Sequence, residues 1–333
     1  MKIVSPSIEI MRSGLEKEHI RPEQHVEKVG RTCYKSEDKI TEDSAAAFAG
    51  RFIKWGHESV LEHWSYIFRT TPDWYELIVT TWERLLHEGD TSSAEPLRPY
   101  LRFTDWITSD GETRCVISGN IRAWRNFIEA YVNRFGFAPH YLHGLIRCNP
   151  IFFPEYQSFV PPVIVNDVLI PMSVSELVGD VERGTHHDIT VRFICDRGVS
   201  HEIVRHRTAS FAQESTRYCN YSGDKFGAEI TVITPSWYED PKYTRERAWE
   251  QACMRSEADY FLMLDLGSTP QEARAALNNS LKTELVMTTN LYGWENFFHL
   301  RCARDAHPDI RVVANMLRDK FDELNLGVVK SED

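Results

Sequence analysis

Arg205-His206-Arg207-Thr208-Ala209-Ser210-Phe211-Ala212-Gln213-Glu214-Ser215-Thr216-Arg217-Tyr218 is the stretch on which the chain turns. Three arginines and a histidine crowd into it, and Ser210, Ser215, Tyr218 and Gln213 add hydroxyls and an amide. No hydrophobic period runs through it, so burial in a core does not explain it. Guanidinium groups at close spacing repel unless anions separate them. Each offers a planar fork of donors suited to phosphate or carboxylate. The run reads as a site for a phosphorylated small molecule, with a solvated basic loop as the plain alternative.

Working outward, Ile189, Val191, Phe193 and Cys195 alternate with polar partners and predict a strand. Asp196-Arg197-Gly198 reads as a turn, and residues 199–205 as a helix that delivers the basic run to its end and the following loop. Downstream, 230–233 is a short strand stopped by Pro235. Residues 245–264 form an amphipathic helix with Trp249, Cys253, Tyr260 and Leu264 on one side. Thr269, Pro270 and Glu272 make a capped helix start ahead of Arg274. Residues 285–289 are a strand, Asn290 opens a helix through Arg301, and 311–324 is a last helix.

In the first half, 2–4 is a short strand. A helix capped by Thr41 or Ser44 carries Phe48, Phe52 and Trp55 on one face and stops at Gly56. Then comes Gly56-His57-Glu58-Ser59-Val60-Leu61-Glu62-His63, followed by an alternating strand over 64–70. His57 and His63 lack a third ligand at metal-site spacing, so no metal is expected. Between 71 and 187, helices are expected over 74–87 and 120–134 and a strand over 112–117. Proline-rich loop is expected over 148–171. One echo stands out. Asn120, Trp124, Asn126 and Phe127 recur, at the same steps, as Asn290, Trp294, Asn296 and Phe297. One short match does not by itself establish a repeat.

The 333 residues can bury a full core, and the 42 % apolar fraction is that of a globular protein. A net charge of −11 excludes a nucleic-acid coat or a membrane-surface protein for the chain as a whole. No apolar run has membrane-span length, and residues 1–20 lack a signal pattern, so a cytoplasmic location is expected. Seven scattered cysteines without a Cys-x-x-Cys pair argue against a disulfide framework and a structural zinc site.

The basic run resembles the signature of the flavin-dependent thymidylate synthases: Arg-His-Arg, seven residues, Ser, then an Arg-Tyr pair, here Arg205-His206-Arg207, Ser215 and Arg217-Tyr218. Gly56 to His63 resembles that family's second signature, and Arg274, Asn290, Asn296 and Arg301 follow its downstream series in register. The resemblance covers about 30–70 and 188–320. It implies a single α+β domain over 1–333, with a mixed β-sheet covered by helices and an oligomeric active site. Residues 71–187 would then be a family-atypical insertion.

The resemblance also assigns roles. FAD would be held by His57, Ser59, Arg205, His206, Arg207, Gln213, Asn290 and Asn296. The nucleotide dUMP would meet Glu202, Arg205, Gln213, Glu214, Ser215, Arg217, Arg274 and Arg301, with Arg301 polarising the pyrimidine. NADPH would reduce the flavin and methylenetetrahydrofolate would supply the carbon, in a homotetramer that binds neither nucleic acid nor membrane. Uracil C5 must gain electron density to accept a methylene group. Hydride delivery to C6 beside a cation achieves this without a protein nucleophile. The chain departs from the family pattern at Cys33, Glu202, Ala212, Asn278 and Asp305. Two rival readings are a nucleic-acid module built on Arg-His-Arg, and a degenerate relative that binds flavin or nucleotide without turnover.

Overall fold

Asp196 ends a buried strand and caps the helix that leads into the basic run. Its carboxylate accepts the Val199 backbone N–H at 2.8 Å, so the expected turn is an N-cap. The computed structural model around it describes residues 1–14, 20–88, 100–161, 168–223, 226–240 and 242–327. The first half runs β1 (Lys2–Val4), β2 (Ser7–Arg12), α1 (Pro22–Tyr34), α2 (Ser44–Trp55), a 3-10 stretch at Glu58–His63, β3 (Ser65–Thr70), α3 (Pro72–Glu88), β4 (Leu101–Ile107), β5 (Thr113–Asn120), α4 (Ile121–Phe135) and α5 (His143–Cys148). The second runs β6 (Ile170–Met172), α6 (Gly179–His186), β7 (Asp188–Asp196), α7 (Arg197–Ile203), β8 (Ser210–Gln213), β9 (Thr231–Ile233), α8 (Thr244–Asp265), α9 (Pro270–Ala273), β10 (Lys282–Asn290), α10 (Leu291–Arg301) and α11 (Pro308–Glu323).

The α+β expectation holds, and the strands among the described residues are shared among three sheets. Two are four-stranded, ordered β2-β7-β10-β8 and β4-β5-β3-β6, and every neighbour in them is antiparallel. Among the described residues, parallel pairing is confined to β1 and β9. Residues 71–187 do not stand apart from the rest. They supply β4, β5 and β6 to the sheet built on β3. No described helix is long and apolar enough to cross a membrane.

Each large sheet has its own core. Phe68, Ile117, Trp124 and Phe127 centre the first. Val191, Phe193, Trp294 and Phe297 centre the second. Gly119 is required by close approach: a Cβ there would lie 2.6 Å from the Leu101 side chain and 3.1 Å from Trp124 Nε1. Gly56 is required by its left-handed backbone, φ +69°, where it ends α2. Trp124 is fully buried. Trp124→Ala is expected to cost about 3–5 kcal/mol in a denaturant melt; a loss below about 1 kcal/mol would contradict this packing.

Where the two sheets meet, the contact is polar. His63 Nδ1 lies 2.7 Å from Thr288 Oγ1, and His186 Nδ1 lies 2.7 Å from Ser118 Oγ. His186 Nε2 is 2.8 Å from Thr104 Oγ1. Arg102 donates through both terminal nitrogens to Asp188, at 2.6 Å each, and Ser65 donates to the same carboxylate. These bonds tie the sheets together across the seam, while His63 Nε2 and Arg102 Nε are buried without a hydrogen-bond partner among the described residues.

Candidate active site

The basic run is pinned at four points. Ile203, the last residue of α7, is buried. Strand β8 pairs with β10, from Ser210 opposite Thr288 to Gln213 opposite Leu285. Gln213 Nε2 donates to Ser200 Oγ on α7 at 2.9 Å and to Thr283 Oγ1 on β10 at 3.1 Å. The Ser215 N–H donates to the Cys33 carbonyl at the end of α1, at 3.0 Å. Cys33 thus borders the run, but burial pushes its thiol up to about 11, which disfavours thiolate chemistry.

Arg301, at the end of α10, reaches back to the start of the run. Its Nε donates to His206 Nε2 at 2.9 Å, Nη1 donates to Glu202 Oε2 at 3.0 Å, and Nη2 donates to the Glu202 carbonyl at 3.1 Å. These contacts take three of the guanidinium's five N–H donors. Burial, and then the charge of Arg301, push His206 down to about 4, so its ring is neutral near pH 7. With Nε2 accepting from Arg301, the ring proton sits on Nδ1. That Nδ1 is buried and has no hydrogen-bond partner among the described residues. A buried donor without a partner is costly, and a ligand acceptor would satisfy it.

Arg205, Arg207, Arg217 and Arg274 are exposed. Among the described residues none of the four has an acidic partner. Arg274 Nη1 donates to Thr216 Oγ1 at 3.4 Å, and the Arg217 guanidinium lies 5.7 Å from the Tyr218 ring centre. Arg274 and Arg301 therefore meet the same run from its two ends. Asn296 is exposed on α10, one face along from Arg301.

Other expected site residues are placed differently. Glu214 is 3 % exposed and points inward, where Lys282 donates to it at 2.9 Å and the Tyr221 hydroxyl at 3.4 Å. It braces the run from below and is off the basic surface. Asn290 is the N-cap of α10: its oxygen accepts the Gly293 N–H at 2.9 Å and its amide donates to the Thr185 carbonyl at 3.0 Å. Glu202 is occupied with Arg301. His57 and Ser59 are exposed at the start of the 3-10 stretch, whose far end touches β8 through Glu62 and Ser210 at 3.0 Å. Sequence reasoning missed the Glu202–Arg301–His206 cluster. The short step from Glu202, near the end of α7, to His206 just beyond it was its only visible trace.

Residues 182–324 match the family model Thy1, thymidylate synthase complementing protein. That span contains the basic run, Arg274 and Arg301. A flavin-dependent thymidylate synthase of Geobacter sulfurreducens is 36 % identical over 123 residues, 37 % of this chain and 51 % of that protein. One from Thermococcus kodakarensis is 36 % identical over 134 residues, 39 % of this chain and 53 % of that protein. The chain spans about half the length of the curated relatives it matches. A crystal structure of a UMP/dUMP methylase, PolB from Streptomyces cacaoi, aligns over 41 % of this chain and 66 % of that one, at 24 % identity and a TM-score of 0.34. That overlap is too loose to carry a comparison of sites.

Proposed function

We propose that the protein is a flavin-dependent thymidylate synthase that converts dUMP to dTMP. Methylenetetrahydrofolate supplies the carbon and NADPH the reducing equivalents through FAD. In balance, dUMP, methylenetetrahydrofolate, NADPH and a proton give dTMP, tetrahydrofolate and NADP⁺. The observation that carries the reading is one run that bears the exposed Arg205, Arg207 and Arg217, is met by the exposed Arg274 at Thr216, and holds the unsatisfied Nδ1–H of His206. The Thy1 match over the same residues supports it.

The residues present fit a flavin dinucleotide. Arg205 and Arg207 would hold its phosphates, and the His206 Nδ1–H would donate to a ring acceptor. Bound and reduced, the flavin supplies the hydride for C6 of the pyrimidine. Ser215, Arg217 and Arg274 would bind the nucleotide phosphate. Arg301, held in one rotamer by Glu202 and His206, keeps two N–H donors for the pyrimidine carbonyl edge, where negative charge develops. Glu202 then acts by aiming Arg301, which accounts for a carboxylate beside an anion site. The protein would work in the cytoplasm as an oligomer, implied by resemblance to be a homotetramer, with sites completed between subunits.

Purified protein is expected to show flavin absorption, and titration with dUMP to perturb that spectrum. A colourless protein that binds oligonucleotides with steep salt dependence would replace this reading with a nucleic-acid module. A yellow protein blind to dUMP would point to a relative that has lost its substrate.

A further inference from the structure

The two large sheets are built alike. In the first, β3 pairs with β5, β5 with β4, and β6 lies on the far side of β3. In the second, β7 pairs with β10, β10 with β8, and β2 lies on the far side of β7. The registers correspond residue by residue. Ser65 faces Asn120 as Asp188 faces Asn290, and Arg102 faces Ser118 as Ser210 faces Thr288. Asn120 and Asn290 then do the same work. Each ends its strand and caps the next helix by accepting the N–H three residues on, at 2.8 and 2.9 Å. Trp124 and Trp294 follow at the same step and are both fully buried.

The seam between the sheets obeys the same correspondence. Counting from the paired strands, His63 matches His186 and Ser118 matches Thr288. The two histidine contacts are therefore one contact made twice, in opposite directions, at 2.7 Å each. Ser65 and Asp188 are counterparts and bond to each other, as residues on a two-fold axis do. Arg102 reaches Asp188 and the Thr185 carbonyl, while its counterpart Ser210 reaches Glu62, the counterpart of Thr185. The flanking strands are exchanged as well. β2 precedes β3 in the chain but joins β7, and β6 precedes β7 but joins β3.

We infer that the chain is a dimer fused into one polypeptide: residues 62–135 and 185–301 are two copies of one unit, facing across a pseudo-two-fold axis with exchanged edge strands, and only the second copy keeps an anion site. Reciprocal contacts between matched residues are the mark of an isologous interface. A chance packing of an insertion against a domain has no reason to repeat them. In the first copy the counterpart of Arg301 is Tyr131, that of Gln213 is Asp105, and Leu97-Arg98-Pro99 precedes Tyr100 where Arg205-His206-Arg207 precedes Thr208. The first copy has thus kept the capping asparagine, the core tryptophan and the seam, and has lost the guanidinium set. Residues 71–187 are on this account the body of the first copy and its connection to the second. An assembly of four such units would need two chains.

Two experiments on the full chain test this. The first exchanges counterparts across the axis. Ser65→Asp alone sets two carboxylates against each other, and Asp188→Ser alone removes the carboxylate that Arg102 grips with both terminal nitrogens. The double variant Ser65→Asp/Asp188→Ser restores one carboxylate and one hydroxyl with Arg102 in reach, since its Nη2 already lies 3.4 Å from Ser65 Oγ. Each single variant is expected to lower the melting temperature, and the double to recover at least half the loss. Losses that simply add, or single variants that melt like the parent, would overturn the axis. The second is equilibrium dialysis of labelled dUMP against the flavin-loaded protein, and it rests on the function proposed above. One dUMP per chain is expected. Two per chain would overturn the loss of the first site. None would overturn the proposed function, while the melts still judge the duplication.

Discussion

Arg301→Ala is expected to cut dTMP formation about 10²–10³-fold while leaving the flavin spectrum in place. Among the described residues of the cluster, Arg301 is the one cation bonded to both Glu202 and His206, which fix its guanidinium through three N–H donors. Preorganised donors aimed at developing charge outweigh mobile ones, because they need no reorganisation at the moment of reaction. Removing the side chain frees Glu202, which is 31 % exposed and can turn to water, so the fold should tolerate the change. Arg301→Lys keeps a charge but loses the fork, and should fall between parent and alanine. Activity of Arg301→Ala within about threefold of the parent would remove Arg301 from the chemistry, since it falls below the loss of even a weak hydrogen bond.

Acidification is expected to strip stability from the protein between pH 6.5 and 3. Burial lowers His63 to about 3. Burial, with the charge of Arg102, lowers His186 to about 3 as well. Burial also holds His25 well below its ordinary value of 6.5. In the unfolded chain all three take protons near pH 6.5. Their folded values are depressed, so the unfolded state binds more protons throughout that window. Stability is complete above 6.5 and falls as pH drops toward 3. Glu284 adds to the loss at the acid end. Burial alone would raise it, but Lys282 and Lys35 hold it at about 2, so its contribution fades as pH falls from 4.5. Together these gaps are on the order of several kcal/mol. A melting temperature that stays flat from pH 7 to pH 4 would contradict the neutral-histidine seam. His186→Gln should flatten part of the slope.

How much of the fold is legible in the sequence depends on where burial is apolar. The strand ending at Asp196, the long helix α8 and the step from β10 into α10 are all readable, because alternation, amphipathic spacing and the Asn290 cap are local signals. Helix α1 is not. Its buried positions include His25, Glu27, Arg31 and Thr32, and Arg31 is paired with Glu27 at 2.6 Å, so its inner stripe looks like an outer one. β8 reads as loop in the sequence because its extended form comes from pairing with β10, distant in the chain. Glu214 sits among ligand residues in sequence, but an extended chain turns successive side chains to opposite faces, and this one meets Lys282. The arginines themselves are legible, since three guanidiniums crowded into one short run repel one another until an anion arrives. The match between Asn120 and Asn290 is visible too. Its meaning needs the strand register, because the intervening sequences have diverged in everything but their place in the fold.

The most direct measurement is tritium release from dUMP labelled at C5, with NADPH and methylenetetrahydrofolate supplied. Carbon transfer to C5 must expel the proton held there. Release is expected to require both co-substrates, to proceed with dTMP formation and to collapse in Arg301→Ala. No release from flavin-loaded protein that demonstrably binds dUMP would contradict it, and would leave a guanidinium cluster that holds a nucleotide without transforming it.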